Sequence, residues 1–166
     1  MTNYQSPEQT PRKFLKTLSL LHAALLGAQI LFAGVVLLLN SDRDIGTQAS
    51  DNVFLYVVPV MSGMSFLLSR FLFSSLVAKA RAKDSLKEIL VAYQGAFLVR
   101  LALLEAPSLF AIVTYFVTGN IILLAVSGLI ILYFLTLAPS KQKVESDLNL
   151  SYNHKLEFDK SDQIIQ

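Results

Sequence analysis

The stretch FLVRLALLEAPSLFAIV, residues 97–113, decides how this chain folds, because three residues that lipid disfavours interrupt an apolar run. Arg100 and Glu105 carry charge, and Pro107 lacks the backbone N–H that an α-helix uses. The run belongs to a longer apolar segment, and a membrane-spanning helix needs about 20 such residues. The fold therefore has to accommodate two charges and a proline within a segment suited to lipid.

The composition of the whole chain indicates the same class of protein. Hydrophobic residues make up 54% of the 166 residues and charged residues only 16%, whereas a soluble domain has about 25% charged residues. The mean hydropathy is +0.54. The chain has no cysteine, which excludes disulfides, thiolate nucleophiles and cysteine-ligated metals. We therefore predict an integral membrane protein.

Four apolar segments are long enough, or nearly so, to cross a bilayer as helices. They do not alternate apolar and polar residues as the strands of a β-barrel do. We predict an all-α membrane protein with four transmembrane helices in a domain of residues 1–138, followed by a partly disordered cytoplasmic tail of residues 139–166. The predicted helices cover residues 14–39, 53–77, 89–117 and 121–137.

Basic residues are concentrated on one side of the predicted helices. The N-terminal flank, the loop between the second and third helices and the start of the tail carry nine lysines and arginines, against Arg43 alone on the other side. Cytoplasmic loops carry such an excess, so we predict that both termini lie in the cytoplasm of a bacterium and that the helices span its inner membrane. Orientation thus accounts for the net charge of +2, and we expect no nucleic-acid partner.

The second and third helices are predicted to form a hairpin whose tip protrudes into the cytoplasm. Helix-forming residues continue past the second apolar segment to about Lys83. Ser85 and Glu88 then match a capping box, in which the serine at a helix start pairs with the acidic residue three positions on. A new helix is therefore expected to begin at Asp84 or Ser85, before the chain enters lipid.

The tail begins at Pro139, which is expected to end the fourth helix, and Ser140 is placed to cap a short helix through Asp147. The apolar residues that follow recur at even spacing, as in a short strand or an extended segment that pairs with a partner. A partly disordered tail is the interpretation that we favour over these. We expect residues 139–166 to offer a site for a cytoplasmic partner.

Glu105 is the polar residue whose burial most needs an explanation. It lies near the middle of the predicted span and is too short to reach the membrane surface, whereas Arg70 and Arg100 lie shallow enough to do so. Helical spacing puts Gln94 and Ser108 on the same face as Glu105, so that face is expected to point into the bundle. We predict an ion pair between Glu105 and Arg70 of the neighbouring helix, with Arg100 as the competing partner.

Residues 53–117 resemble the hairpin of rotary-ATPase proteolipids, the c-subunit family, on the run LALLEAPSLFAIV. In that family a mid-membrane carboxylate on the second hairpin helix carries the ion, and the polar loop faces the cytoplasm. The resemblance implies that Glu105 is an ion-binding carboxylate. The sequence departs from the family pattern at Arg70 and Arg100, and residues 53–77 contain the single glycine Gly63. The whole chain resembles small four-helix bacterial membrane proteins.

Two functions fit the sequence. The first is a non-enzymatic structural or partner-binding subunit with an intramembrane Arg–Glu pair, and the second is an ion- or proton-linked protein in which Glu105 titrates. We expect no enzymatic activity, because the sequence offers no cysteine, aspartate pair or serine–histidine constellation at a suitable depth. No metal or cofactor is expected. The expected partners are the lipid bilayer and either a second copy or another membrane protein.

Overall fold

The computed structural model describes residues 10–40 and 53–160, and the all-helical prediction is confirmed there. Residues 41–52, in the predicted outer loop between the first two helices, and residues 161–166, the end of the tail, lie outside the described residues. Four long helices are followed by two short ones. Their bounds are α1 Pro11–Leu39, α2 Phe54–Arg81, α3 Leu86–Thr118, α4 Ile121–Thr136, α5 Lys141–Leu148 and α6 Tyr152–Asp159.

Three of the helices, α1, α2 and α3, are each long and apolar enough to cross a membrane. The fourth helix, α4, has only 16 residues. It is long enough to cross a membrane only when α5 is counted with it, and the two helices are bent by 87° relative to each other. The described part of the chain therefore contains three candidate spans, or four if α4 crosses with this bend at its end.

Local capping explains where the helices begin and end. The Ser85 hydroxyl accepts a hydrogen bond from the backbone N–H of Glu88 at 3.3 Å, which confirms the predicted helix start at Ser85. Gly119 ends α3 with φ of 69°, a left-handed conformation that glycine adopts at little cost. Asn120 then caps α4 through a 3.0 Å bond from Ile122 N–H. Because only two residues join α3 and α4, these helices are antiparallel neighbours.

Helix α3 lies at the centre of the bundle and contacts α1, α2 and α4. Its buried residues divide between two hydrophobic clusters. The first, here the basic-end cluster, surrounds Phe14, Phe73, Tyr93 and Phe134 and extends into α5 and α6. The second, here the opposite-end cluster, consists of Val36, Val58, Ala111, Ile112, Tyr115 and Leu123.

The tail helices α5 and α6 pack against the basic end of the bundle. Ser140 caps α5 as predicted, accepting a bond from Lys143 N–H at 3.3 Å. The strand or extended segment predicted after Asp147 is wrong, because Tyr152–Asp159 is a helix. The even spacing of the apolar residues suggested a strand only because it was counted across the boundary between two helices. Leu148 ends α5, and Asn149 turns the chain with φ of 48°. Val144, Leu148 and Phe158 are buried in the basic-end cluster.

Candidate functional site: polar side chains at the basic end

The predicted ion pair between Arg70 and Glu105 is not formed. Arg70 is exposed on α2, and its guanidinium lies 5.9 Å from the ring centroid of Phe66 on the same helix. Glu105 is half-buried, and within residues 10–40 and 53–160 no ion pair or hydrogen bond engages its carboxylate. The prediction placed the two residues by depth, but helix packing fixes how each helix is rotated, and this rotation keeps the side chains apart.

Arg100 points into the bundle rather than out to the membrane surface. A terminal guanidinium N–H donates to the Tyr133 hydroxyl of α4 at 3.0 Å. The guanidinium carbon lies 4.5 Å from the ring centroid of Phe73 on α2, a favourable cation–π distance. Its Nε is buried without a hydrogen-bond partner. Arg100 therefore joins α2, α3 and α4, and in the described part of the chain no carboxylate forms an ion pair with it.

The predicted polar face of α3 is only partly directed into the bundle. Ser108 is fully buried, and its hydroxyl lies 2.9 Å from that of Ser127 on α4, so the two form an interhelical hydrogen bond. Gln94 and Glu105 are half-buried at the margin of the packed surface. Of these three residues, Ser108 alone has a side-chain partner on a neighbouring helix.

His22 of α1 provides a second polar contact to α4. Its Nε2–H donates to the Phe134 carbonyl at 2.9 Å, and its ring stacks on that of Phe134 with centroids 5.2 Å apart. The side chain is buried, so this bond replaces the water that the imidazole loses. His22 thus fastens α1 to α4 near the basic end.

The structure reveals a polar cluster that the sequence did not predict. Tyr93 of α3 donates its hydroxyl to the carboxylate of Asp147 at 2.8 Å. Arg81 at the end of α2 donates to the backbone carbonyl of the same aspartate, through Nε at 3.0 Å and through a second guanidinium nitrogen. Asp147 therefore connects α5 to both helices of the α2–α3 hairpin. The one signal in the sequence was Tyr93 itself, an aromatic residue with a polar group near the membrane surface.

Further contacts hold the tail helices in place. The Phe158 ring of α6 packs edge-on against Phe14 of α1, with centroids 6.4 Å apart. Lys143 donates its ammonium to the Thr136 carbonyl at 2.6 Å, at the end of α4. Lys141 forms an ion pair with Asp159, which links α5 to α6. Apolar burial and hydrogen bonds therefore both join the tail to the bundle.

A cavity of about 360 Å³ lies among α2, α3 and α4. Its wall is mostly apolar and includes Leu104, Pro107 and Ile130. At the side nearer the basic end, the wall consists of Phe66 and Tyr133, whose rings meet edge to face with centroids 4.9 Å apart. The Tyr133 hydroxyl is the group that Arg100 engages. The cavity thus ends beside a half-buried cation.

Metal chemistry has no candidate site in the described ranges. No group of three or more histidines, aspartates or glutamates there lies close enough to hold a metal ion, and the chain has no cysteine.

Comparisons with protein-family models, with curated proteins and with solved structures find no match for this chain. The resemblance of residues 53–117 to the proteolipid hairpin therefore gains no support from a relative.

Proposed function

We propose that this chain is a non-enzymatic subunit of a bacterial inner membrane that crosses the bilayer four times and binds a cytoplasmic protein partner. The packed tail is the observation that supports this proposal most. Helices α5 and α6 are joined to the bundle through Asp147, Phe158 and Lys143. A tail held in this way presents one fixed surface, and a fixed surface binds a partner without the entropic cost of ordering it.

The distribution of charge supports the orientation. The N-terminus of α1, the turn between α2 and α3, and α5 all lie around the basic-end cluster. These are the segments that carry the basic residues counted in the sequence. By the positive-inside rule this end faces the cytoplasm, and the tail helices with it.

The outer surface of α6 supplies the partner-binding surface in this proposal. Tyr152 is 76% exposed and Leu156 is 45% exposed, whereas Phe158 is buried against α1. Tyr152 and Leu156 are four residues apart, so they are neighbours on one face of the helix. Exposed aromatic and aliphatic residues on a cytoplasmic helix are typical of a surface that another protein covers.

Cysteine labelling tests the orientation, and the natural chain provides a background free of thiols. Single substitutions Lys83→Cys and Gln142→Cys are expected to react with a membrane-impermeant maleimide only after cells are permeabilised. Gln48→Cys, in the predicted outer loop, is expected to react in intact cells. Labelling of all three positions from the same side would contradict the proposed four crossings.

Site-specific crosslinking tests the partner surface. A photoreactive amino acid at position 156, in place of Leu156, is expected to give a discrete adduct with a cytoplasmic protein in intact cells. The matched control places it at Gln142, which is exposed on α5 instead of α6. Equal adducts from both positions, or none from position 156, would overturn the proposed surface.

An ion- or proton-linked function is the second candidate, and one observation favours it. Glu105 makes no ion pair with Arg70, the arginine that was expected to neutralise it. The carboxylate is therefore available to exchange a proton. Proton flux into proteoliposomes is the direct measurement. Under this alternative the natural protein conducts protons and Glu105→Gln abolishes the flux, whereas the control Glu88→Gln, at the exposed start of α3, does not. No flux from the natural protein would eliminate this candidate.

A further inference from the structure

Arg100 is a cation whose charge is not balanced within the described part of the bundle. Its guanidinium has one neutral hydrogen-bond acceptor, the Tyr133 hydroxyl, and one aromatic face, Phe73. Its Nε is buried without a partner. The residue as a whole is half-buried, and a charge partly removed from water is stabilised by an opposite charge beside it. The arrangement around Arg100 is therefore one that a bound anion would complete.

The carboxylates of the described chain do not balance the charge of Arg100. Asp147 receives the Tyr93 hydroxyl at 2.8 Å and forms no ion pair with Arg100. Glu105, five residues along the same helix, is about 140° away around the helix axis. The anion that completes the arrangement around Arg100 therefore comes from outside the described chain.

The cavity among α2, α3 and α4 indicates what else that anion carries. Along α4 its wall runs from Val126 to Tyr133, about 10 Å at 1.5 Å per residue. Apart from Ser62 and the Tyr133 hydroxyl, the wall is apolar. The end of the cavity nearest the basic end is formed by Phe66 and Tyr133, and these two residues contact Arg70 and Arg100 respectively. An apolar slot thus leads to two guanidinium groups.

We propose that this slot and Arg100 form a binding site for one anionic phospholipid of the surrounding bilayer. An acyl chain occupies the cavity, and the headgroup phosphate accepts hydrogen bonds from Arg100, with the exposed Arg70 as a second cation at the mouth. Arginine suits this role because its planar donors match a phosphate. In this proposal the headgroup phosphate of the lipid lies at the basic end of the bundle, where the other lysines and arginines of the chain are also concentrated.

The inference rests on the membrane insertion proposed above, and the test separates the two. Full-length protein is purified in detergent, stripped of lipid and titrated with phosphatidylglycerol or phosphatidylcholine of identical acyl chains, and native mass spectrometry counts the lipids bound. Both headgroups contain a phosphate, but the ammonium group of phosphatidylcholine neutralises it, so only phosphatidylglycerol brings a net negative charge to Arg100. We therefore expect one phosphatidylglycerol to bind at least about tenfold more tightly than phosphatidylcholine. Equal binding would overturn the site and leave the membrane insertion untouched.

Variants locate the binding. Arg100→Gln is expected to reduce the preference for phosphatidylglycerol to near one, and Arg100→Lys to restore part of it. The matched control is Lys79→Gln, which removes one exposed positive charge from the end of α2 outside the cavity wall. If Lys79→Gln lowers the preference as much as Arg100→Gln does, the lipid is attracted by the basic surface in general and the site is refuted.

Two further measurements keep the test decisive. If Arg100→Gln does not fold, Tyr133→Phe removes only the hydroxyl that positions the guanidinium and is expected to weaken phosphatidylglycerol binding several-fold. Val126→Phe narrows the slot and is expected to weaken both lipids, and unchanged binding in Val126→Phe would show that the acyl chain lies elsewhere. Free fatty acid that binds as tightly as phosphatidylglycerol would replace the proposed phospholipid with a carboxylate ligand, which overturns the assignment.

Discussion

The two ends of the bundle are built differently. At the basic end, rings from α1, α2 and α3 surround Tyr93, and polar contacts through Asp147, His22 and Arg100 join the elements. At the opposite end a smaller hydrophobic cluster around Ile112 and Leu123 contains one buried ring, that of Tyr115. Polar contacts thus reinforce the end at which the tail returns to the bundle, whereas hydrophobic packing joins α1, α2, α3 and α4 at the opposite end.

The largest expected effect comes from removing the ring that anchors α6. Phe158→Ala deletes a buried side chain that packs on Phe14, and such truncations cost about 3 kcal/mol or more. We expect α5 and α6 to detach from the basic end, which hydrogen exchange of the tail amides measures in detergent micelles. Leu156→Ala, at a half-exposed position on the same helix, is the control and is expected to leave the protection intact.

A substitution at the other end sharpens the same comparison. Ile112→Ala opens a fully buried site in the opposite-end cluster and is expected to cost about 2–4 kcal/mol of stability in the bundle. If the two ends are separate packing units, the tail amides of Ile112→Ala keep their protection from hydrogen exchange relative to the amides of the rest of the bundle. Equal loss of tail protection in Ile112→Ala and Phe158→Ala would mean that the ends unfold as one unit.

The next effect concerns the hydrogen bond between α3 and α5. Tyr93→Phe keeps the ring in the basic-end cluster but leaves the Asp147 carboxylate without this donor, which costs about 1–2 kcal/mol. We expect faster exchange in α5 with little change at the opposite end. A double-mutant cycle with Asp147→Ala isolates the pairwise energy, and a coupling energy near zero would contradict the role given to this bond.

A smaller effect is expected where the two ends meet. Ser108→Ala removes the partner of Ser127 and is expected to cost about 0.6 kcal/mol, the typical value for a hydrogen bond between membrane helices. Thermal unfolding in detergent measures it. The double substitution Ser108→Ala with Ser127→Ala leaves no polar atom unpaired, so it should be no more destabilising than the single one. A much larger loss in the double variant would point to further partners.

The smallest effect belongs to the surface pair between α5 and α6. The hydrogen bond to Asp159 raises the pKa of Lys141 above its usual value. The stabilisation that depends on the charge of Lys141 is therefore fully present at neutral pH and is lost as the pH rises through the raised pKa in the alkaline range. Lys141→Gln should cost a few tenths of a kcal/mol at most and abolish this alkaline loss of tail protection. A loss of protection on acidification alone would contradict the assignment.

The helices and their ends were predictable, because local chemistry sets them. Ser85, Ser140 and Pro139 marked boundaries correctly, since capping and the missing proline N–H act within a few residues. The structure also places Ser108 in the interior, as helical spacing suggested. Such patterns report which residues share a helix face.

The contacts between helices were not predictable in the same way. Depth along the helices suggested that Arg70 and Glu105 were partners, but rotation of α2 about its axis turns Arg70 outward. The bond between Tyr93 and Asp147 joins residues 54 positions apart, and no local pattern encodes it. The strand prediction for the tail failed for another reason. The alternation of apolar residues was counted across the turn at Asn149, where α5 has ended and α6 has not yet begun.

The shortness of α4 has a consequence for the membrane around it. Its 16 residues span about 24 Å, less than the roughly 30 Å of hydrocarbon in an ordinary bilayer. The 87° bend to α5 follows within four residues, and Lys143 bonds the last turn of α4, so the helix cannot extend to make up the difference. If α4 crosses the bilayer as proposed, the lipid beside it has to thin locally, and this face of the protein then prefers short-chain or disordered acyl regions.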